Sequence, residues 1–323
     1  MSFFVYHKIY QFSKIQQYAL AFFGVLFAAS IALIFMKTPN YGIDFSGGTV
    51  IQVRYSADKA PIAAITDALN GTRFEGAAVQ EFGAANEVVI KANVTGSTLG
   101  VDVGDEAREI LAKTGDFEIR KVDMVGAKVG GELRRAGLMA VIFSLVGILI
   151  YIAFRFEFRF ALAAVLCTIH DITLTMGFVI LFEVPINLEI LAAILTVLGY
   201  SLNDTIVVFD RIREIMSRKD AVNLNDVTNE ALSHTLSRTI LTSFTTLFVV
   251  LTTYLFGGEI LKPLSLVLIA GIIIGTLSSI FVAASLLSPL KVSVADWKSR
   301  EAKRAQIKAE KERMRALYER GAV

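Results

Sequence analysis

Six apolar runs constrain this chain most, at about residues 15–36, 138–154, 160–182, 186–209, 239–256 and 263–288. Each is close to the roughly 20 residues that an α-helix needs to cross a hydrocarbon core about 30 Å thick. In lipid every backbone N–H and C=O must be satisfied internally, so such runs fold as helices. Of the 323 residues, 54% are hydrophobic and only 19% charged, and the mean hydropathy is +0.58, which is not the profile of a soluble protein. The expected class is an α-helical polytopic membrane protein with six transmembrane helices.

The first run is longer than the apolar region of a signal peptide, and Met36-Lys37-Thr38-Pro39 offers no small-x-small cleavage pattern. It is expected to stay as an uncleaved helix over 15–36, after a short N-terminus of 1–14. Residues 37–136 read as a soluble insertion. Thr49–Tyr55 alternates and is β-branched, a strand. Ala60–Leu69 has helical spacing at Ile62, Ile65 and Leu69. Ala77–Phe82 and Glu87–Val94 are strands joined by a turn at Gly83–Asn86, Asp105–Lys113 is a helix, and Phe117–Val125 is a last strand. The order β-α-β-β-α-β predicts a small α+β ferredoxin-like domain between helices 1 and 2, a fold that indicates no function by itself. A five-helix membrane region over 137–290 and a basic tail over 291–323 complete the chain.

Lysine and arginine set the expected orientation. Lys8, Lys14, Arg155, Arg159, Arg211, Arg213, Arg218, Lys219 and the tail from Lys291 share one side, and the opposite short loops hold only Lys262. Arg134 and Arg135 count the other way but are outnumbered. Both termini are therefore expected in the cytoplasm and the 37–136 domain outside it. The tail is a helix-forming run of Lys, Arg and Glu. Most such runs are solvated faces, and the alternative is attraction to anionic membrane lipids or the ribosomal surface.

Several chemistries find no support. One cysteine, Cys167, rules out a disulfide framework, and three scattered histidines, His7, His170 and His234, argue against structural zinc. Neither a nucleic-acid motif nor a nucleophile–base pair stands out. The stretch Tyr41-Gly42-Ile43-Asp44-Phe45-Ser46-Gly47-Gly48-Thr49 lacks the Lys-Ser or Lys-Thr of a phosphate loop; its glycines suggest positive-φ turns or close approach of another segment.

Polar residues inside apolar runs carry more information, because a carboxylate at mid-membrane costs at least about 2.5–3.5 kcal/mol. The third run holds His170-Asp171, with Thr168 and Thr175 at helical spacing. The fourth places Thr196, Tyr200, Ser201 and Asp204 on one face, with Asn203 at its edge. The fifth opens on Arg238 and continues Thr242, Thr245, Thr246 and Thr253 on one face. Asp204 lies about five residues from the end of its run, roughly 8 Å from the surface at 1.5 Å per residue. An Asp204–Arg238 pair is feasible, within the chain or across to a partner. Membrane threonines usually bond their own backbone, Arg238 has snorkelling as an equal alternative, and His170-Asp171 has a satisfied polar cluster. Gly271 and Gly275 form a GxxxG, which reads as a packing device. Asp204 has no comparable alternative to function. Burial favours the neutral form of a carboxylate and a nearby Arg the charged form, so the chemistry expected is reversible proton binding.

Gly42-Ile43-Asp44-Phe45-Ser46-Gly47-Gly48-Thr49 resembles the hallmark of the SecD/SecF family, accessory subunits of bacterial preprotein translocase. Leu198-Gly199-Tyr200-Ser201-Leu202-Asn203-Asp204-Thr205-Ile206-Val207-Val208-Phe209-Asp210-Arg211-Ile212-Arg213-Glu214 is similar to the fourth-span motif of its SecF members, and Thr235-Leu236-Ser237-Arg238-Thr239 to the start of their fifth span. SecD members carry a much larger external region. The resemblance implies a transporter fold of the resistance-nodulation-division type in the bacterial inner membrane, with domain 37–136 periplasmic. It implies action with SecD, the SecYEG channel, YajC and the translocating preprotein, with protons as coupling ion and no other cofactor. It implies Asp204 as proton carrier and Arg238 as its charge partner beside SecD, with Asp171 less firmly included. Tyr200, Ser201, Asn203, His170, Thr242 and Thr246 are the supporting polar groups, and Gly42, Asp44, Phe45, Gly47 and Gly48 the family motif. Two other readings stay open: a small-molecule or lipid exporter of the same superfamily, and a scaffold that conducts no protons.

Overall fold

The computed structural model describes residues 9–94 and 103–319. His7, Lys8 and the last tail residues, 320–323, lie outside them, as do 95–102 within the soluble insertion. Six helices among the described residues are long and apolar enough to cross a membrane: Phe12–Met36, Lys128–Arg155, Phe158–Leu181, Leu188–Met216, Leu224–Phe256 and Ile260–Leu287. They fall in α1 (Phe12–Met36), α5 (Ala127–Arg155), α6 (Phe158–Leu181), α7 (Leu188–Met216), α8 (Leu224–Phe256) and α9 (Gly258–Ser278). The last continues through a π turn at Ser279–Ala283 and a 3₁₀ turn at Ser285–Leu287.

The helices outrun the apolar runs at one end of the bundle. α7 continues through the charged segment 210–214 to Met216, burying Ile212, Ile215 and Met216, and α8 begins at Leu224, burying Val227, Ala231 and Leu232. Arg238 therefore does not open its helix, as the fifth apolar run suggested, but sits well inside α8. Hydropathy falls where charges begin, whereas backbone hydrogen bonding and one apolar face carry the helix on.

Between α1 and α5 lie α2 (Ile43–Ser46), β1 (Gly48–Tyr55), α3 (Ile62–Leu69), β2 (Ala78–Phe82), β3 (Ala84–Ala92), α4 (Val103–Leu111) and β4 (Phe117–Val125). The sheet order is β2-β3-β1-β4 with every pair antiparallel, the ferredoxin-like arrangement. Ile51, Val53, Val88 and Ile90 pack against Ile65 of α3 and Leu111 of α4. The β2–β3 turn is tighter than expected. Gly83 takes φ 76° and Phe82 pairs directly with Ala84, so residues 84–86 belong to β3.

The six spans are not equivalent. In α6, α7 and α9 at least half of the apolar window is buried inside the chain, against 11% in α1, α5 and α8. The first three form an inner group, and the others turn much of their surface outward. At the end of the bundle away from the sheet domain, α10 (Val294–Glu319) is seated by its first turn. Val294 and Trp297 are buried there, with Trp297 edge-on to Phe160 at 6.2 Å and Arg213 over its ring at 5.2 Å.

Candidate functional site: a polar seam between α6, α7, α8 and α9

Asp171 is the most enclosed carboxylate of the membrane region, with no exposed surface. Its Oδ1 meets His170 Nδ1 at 2.9 Å, and its Oδ2 accepts the hydroxyl of Ser201 from α7. His170 is sandwiched by α1: Phe27 stacks on its ring at 5.7 Å, and Phe23 meets it edge-on at 5.7 Å. On its other side stand Ser278 Oγ, 3.5 Å from His170 Nδ1, and Cys167 Sγ, 3.1 Å from Ser278 Oγ. Close approach of α9 makes this possible. A Cβ on Gly275 would lie 2.9 Å from the Cβ of Ser201, and one on Gly271 would run into the side chain of Val197. The GxxxG packs α9 onto α7. The π turn begins immediately after Ser278, an irregularity often found where a helix carries function.

Ser201, Asp204 and Thr205 share one face of α7 at i, i+3 and i+4, and all three are buried. Asp204 is 3% exposed, yet its Oδ2 has no hydrogen-bond partner among the described residues. From α8 it is faced by Ser243, whose hydroxyl is 2.7 Å from Thr276 Oγ1 of α9. Thr239 Oγ1, one turn before Ser243, is likewise enclosed and unbonded, as are Tyr200 Oη and His170 Nε2. Buried polar atoms are nearly always satisfied, so the enclosed, unbonded Oδ2 of Asp204 is an exception among the described residues that calls for an explanation.

Arg238 is exposed and does not reach ion-pair distance of Asp204, although its charge acts on the carboxylate across the gap. It lines a cleft of about 610 Å³ between α7 and α8 with Val207, Asp210, Arg211, Glu214 and His234. Asn203 faces outward, off the seam. Thr242 and Thr246 bond the carbonyls of Arg238 and Thr242 at 2.9 Å each, the behaviour of membrane threonines in general. Sequence reasoning missed Thr239, Ser243, Thr276, Ser278 and Cys167. The adjacent serines Ser278-Ser279 in an apolar run were the available signal.

The glycine-rich segment lies at the other end of α7. Gly47 (φ 78°) and Gly48 (φ 150°) take conformations that favour glycine, and a Cβ on Gly48 would lie 2.5 Å from the Ala92 carbonyl oxygen. Gly42 N–H donates to Ile186 O at 2.8 Å, and Ile186 N–H to Asn40 O at 2.7 Å. Phe45 is buried against Val179, Ile190 and Val267. Asp44 Oδ2 accepts the backbone N–H of Leu188, the first residue of α7, at 3.0 Å.

Residues 106–293 match the family described as protein export membrane protein SecD/SecF, C-terminal, and residues 32–59 match the SecD/SecF GG motif. The protein translocase subunit SecF of Helicobacter pylori strain J99 is 42% identical over 317 residues, covering 98% of each chain. That of Escherichia coli O157:H7 is 38% identical over 282 residues, 86% of this chain and 87% of the relative. The protein translocase subunit SecDF of Brucella abortus is 40% identical over 82% of this chain and 35% of its own length. The crystal structure of SecDF from Thermus thermophilus, described as a translocon-associated membrane protein, superposes with a TM-score of 0.78 at 32% identity. The match covers 89% of this chain and 39% of that one, so the chain spans about two fifths of that molecule.

Proposed function

Because the chain belongs to the SecD/SecF family, on its SecF side, we propose that it uses the proton gradient, together with SecD, to promote the late stage of protein export through SecYEG. Membership makes it an accessory transport component of protein translocase rather than a catalytic enzyme. SecD as partner is supported by relatives in which both halves are one polypeptide. YajC is a further expected partner, and the preprotein is the cargo. Both termini are assigned to the cytoplasm and the sheet domain to the periplasm, by the balance of Lys and Arg.

The observation that carries the reading is Asp204, an enclosed carboxylate between α7 and α8 with one oxygen that has no partner among the described residues. Protonation removes the charge, and deprotonation restores the attraction of Arg238, which lies in the cleft next to it. Motion of that guanidinium toward or away from Asp204 thus ties proton occupancy to helix position. Each charge that crosses 100 mV supplies about 2.3 kcal/mol, enough to move a two-state equilibrium about fiftyfold. Asp171 plays a different part. With both oxygens bonded it is the keystone that holds α6 to α7, and Ser201 is its link to the Asp204 face. The test is Asp204→Asn in cells that depend on this chain: gradient-stimulated export is lost while co-purification with SecD is kept. Full export by the variant overturns the proton role.

A further inference from the structure

A proton carrier inside the membrane is useful to export only if its state reaches the sheet domain, and α7 spans that distance. It is one uninterrupted helix from Leu188 to Met216 without proline. From Leu188 to Asp204 is about 24 Å at 1.5 Å per residue. The first N–H groups of a helix have no intrahelical partner and are usually capped by the preceding residues. α7 has one such local cap, Asn187 Oδ1 accepting from Ile190 N–H at 2.9 Å. Its first N–H is instead capped by Asp44, 144 positions earlier in the chain. A cap from so far away is a tertiary clamp. It places a carboxylate where the positive end of the helix dipole favours one.

Asp44 sits on the four-residue helix α2, and Gly47-Gly48 leads directly from there into β1, which pairs with both β3 and β4. A Cβ on Gly130 of α5 would lie 2.8 Å from Gly47 N, so α2 is also pressed against the stalk by which the domain returns to the membrane. The connection between α6 and α7 is stitched to the same segment by Lys37–Glu183 at 2.7 Å and the Gly42–Ile186 and Ile186–Asn40 bonds. An axial shift or tilt of α7 therefore moves α2, and through it β1, one of the sheet's two central strands.

We infer that Asp44 is the positioning residue that couples α7, the helix bearing Asp204, to the sheet domain, so that the family motif transmits proton occupancy to the export machinery. The inference rests on the proposed proton role of Asp204, and its test separates the two. Proton flux into vesicles holding the full chain with SecD is measured beside gradient-stimulated export for four variants. Asp44→Ala removes the acceptor. Leu188→Pro removes the donor at a first-turn position that tolerates proline. Asp44→Asn keeps an acceptor oxygen, and Asp204→Asn removes the carrier. Asp44→Ala and Leu188→Pro are expected to keep proton flux within about twofold and to lose about fivefold of export stimulation, the factor that corresponds to one cap. Asp44→Asn restores export, and Asp204→Asn loses both activities. Wild-type export in both clamp variants, an Asn variant as impaired as Ala, or loss of flux together with export in the clamp variants each overturns the coupling role. Absence of flux in the wild type instead overturns the proton reading on which it rests. Co-purification with SecD identifies a variant that fails to fold; Leu188→Pro then decides for Asp44→Ala, and if both fail, Asp44 is a folding residue and the inference is wrong.

Discussion

Ser201 on α7 donates its hydroxyl to Asp171 on α6, while Asp204, three residues further along the same face of α7, has an oxygen that no described residue bonds. One buried carboxylate thus has both oxygens bonded, and the other has one oxygen without a partner among the described residues. The first ties α6 to α7 through Ser201, and the second is the group to which the proton role is proposed.

The contrast is measurable as stability. Asp171→Ala leaves His170 Nδ1 and Ser201 Oγ without their acceptor in an enclosed site, at a cost of about 2–5 kcal/mol. Asp204→Asn removes a buried charge whose Oδ2 has no partner among the described residues, and it is expected to leave the melting temperature unchanged or higher. Thermal unfolding of the purified chain in mild detergent checks both. Equal destabilisation by the two substitutions contradicts the assignment.

The α7–α9 contact has a graded prediction. Gly275→Ala sets a methyl against the backbone and Cβ of Ser201 and is expected to cost about 1–3 kcal/mol and to impair export, since Ser201 holds Asp171. Gly271→Ala drives a methyl into both methyls and the Cβ of Val197, a β-branched side chain that a helix holds in one rotamer, so it is expected to destabilise the contact at least as much as Gly275→Ala. Export assays at matched membrane levels rank the two.

Much of this arrangement was legible in the sequence. Run length located all six spans, alternation gave the strands of the sheet domain, and one misplaced carboxylate drew attention to Asp204. What was not legible depends on contacts between distant segments. Nothing around Asp44 shows that it caps a helix starting 144 positions later. Nothing around Arg238 shows that its helix starts at Leu224, because an amphipathic extension looks like a loop to a hydropathy window. The polar partners on α9 were hidden by the apolar residues around them.

The seat of the tail helix is reported by the chain's single tryptophan. Trp297 is packed against Phe160 with the Arg213 guanidinium over its ring. Arg213→Ala removes that cation and opens the site to water, so the emission maximum shifts to longer wavelength. Phe160→Ala does the same at a larger cost, about 3–5 kcal/mol, because Phe160 is fully buried. Unchanged emission in both variants contradicts the docked first turn of α10.

Two groups outside the spans contribute to the pH dependence of stability. Burial pushes the Tyr55 phenol above its usual 10.0, against the opposing effect of its bond to Thr114. The folded state then holds a proton that the unfolded chain releases, so Tyr55's contribution is complete below about pH 10 and is lost as pH rises through the folded value. The hydrogen bond and charge of Lys37 hold Glu183 below its usual 4.5. Its contribution is present above about pH 4.5 and is lost as pH falls through the depressed value. Tyr55→Phe flattens the alkaline limb and Glu183→Gln the acid limb in melting curves taken across pH.

Proton flux through Asp204 tests the account most directly. Vesicles holding this chain and SecD, with an imposed pH gradient and an internal pH-sensitive dye, are expected to acidify rapidly with wild-type Asp204 and to stay at the protein-free leak rate with Asp204→Asn. Wild-type flux in the Asn variant, with both proteins present at equal density, contradicts the assignment of Asp204 as the proton carrier.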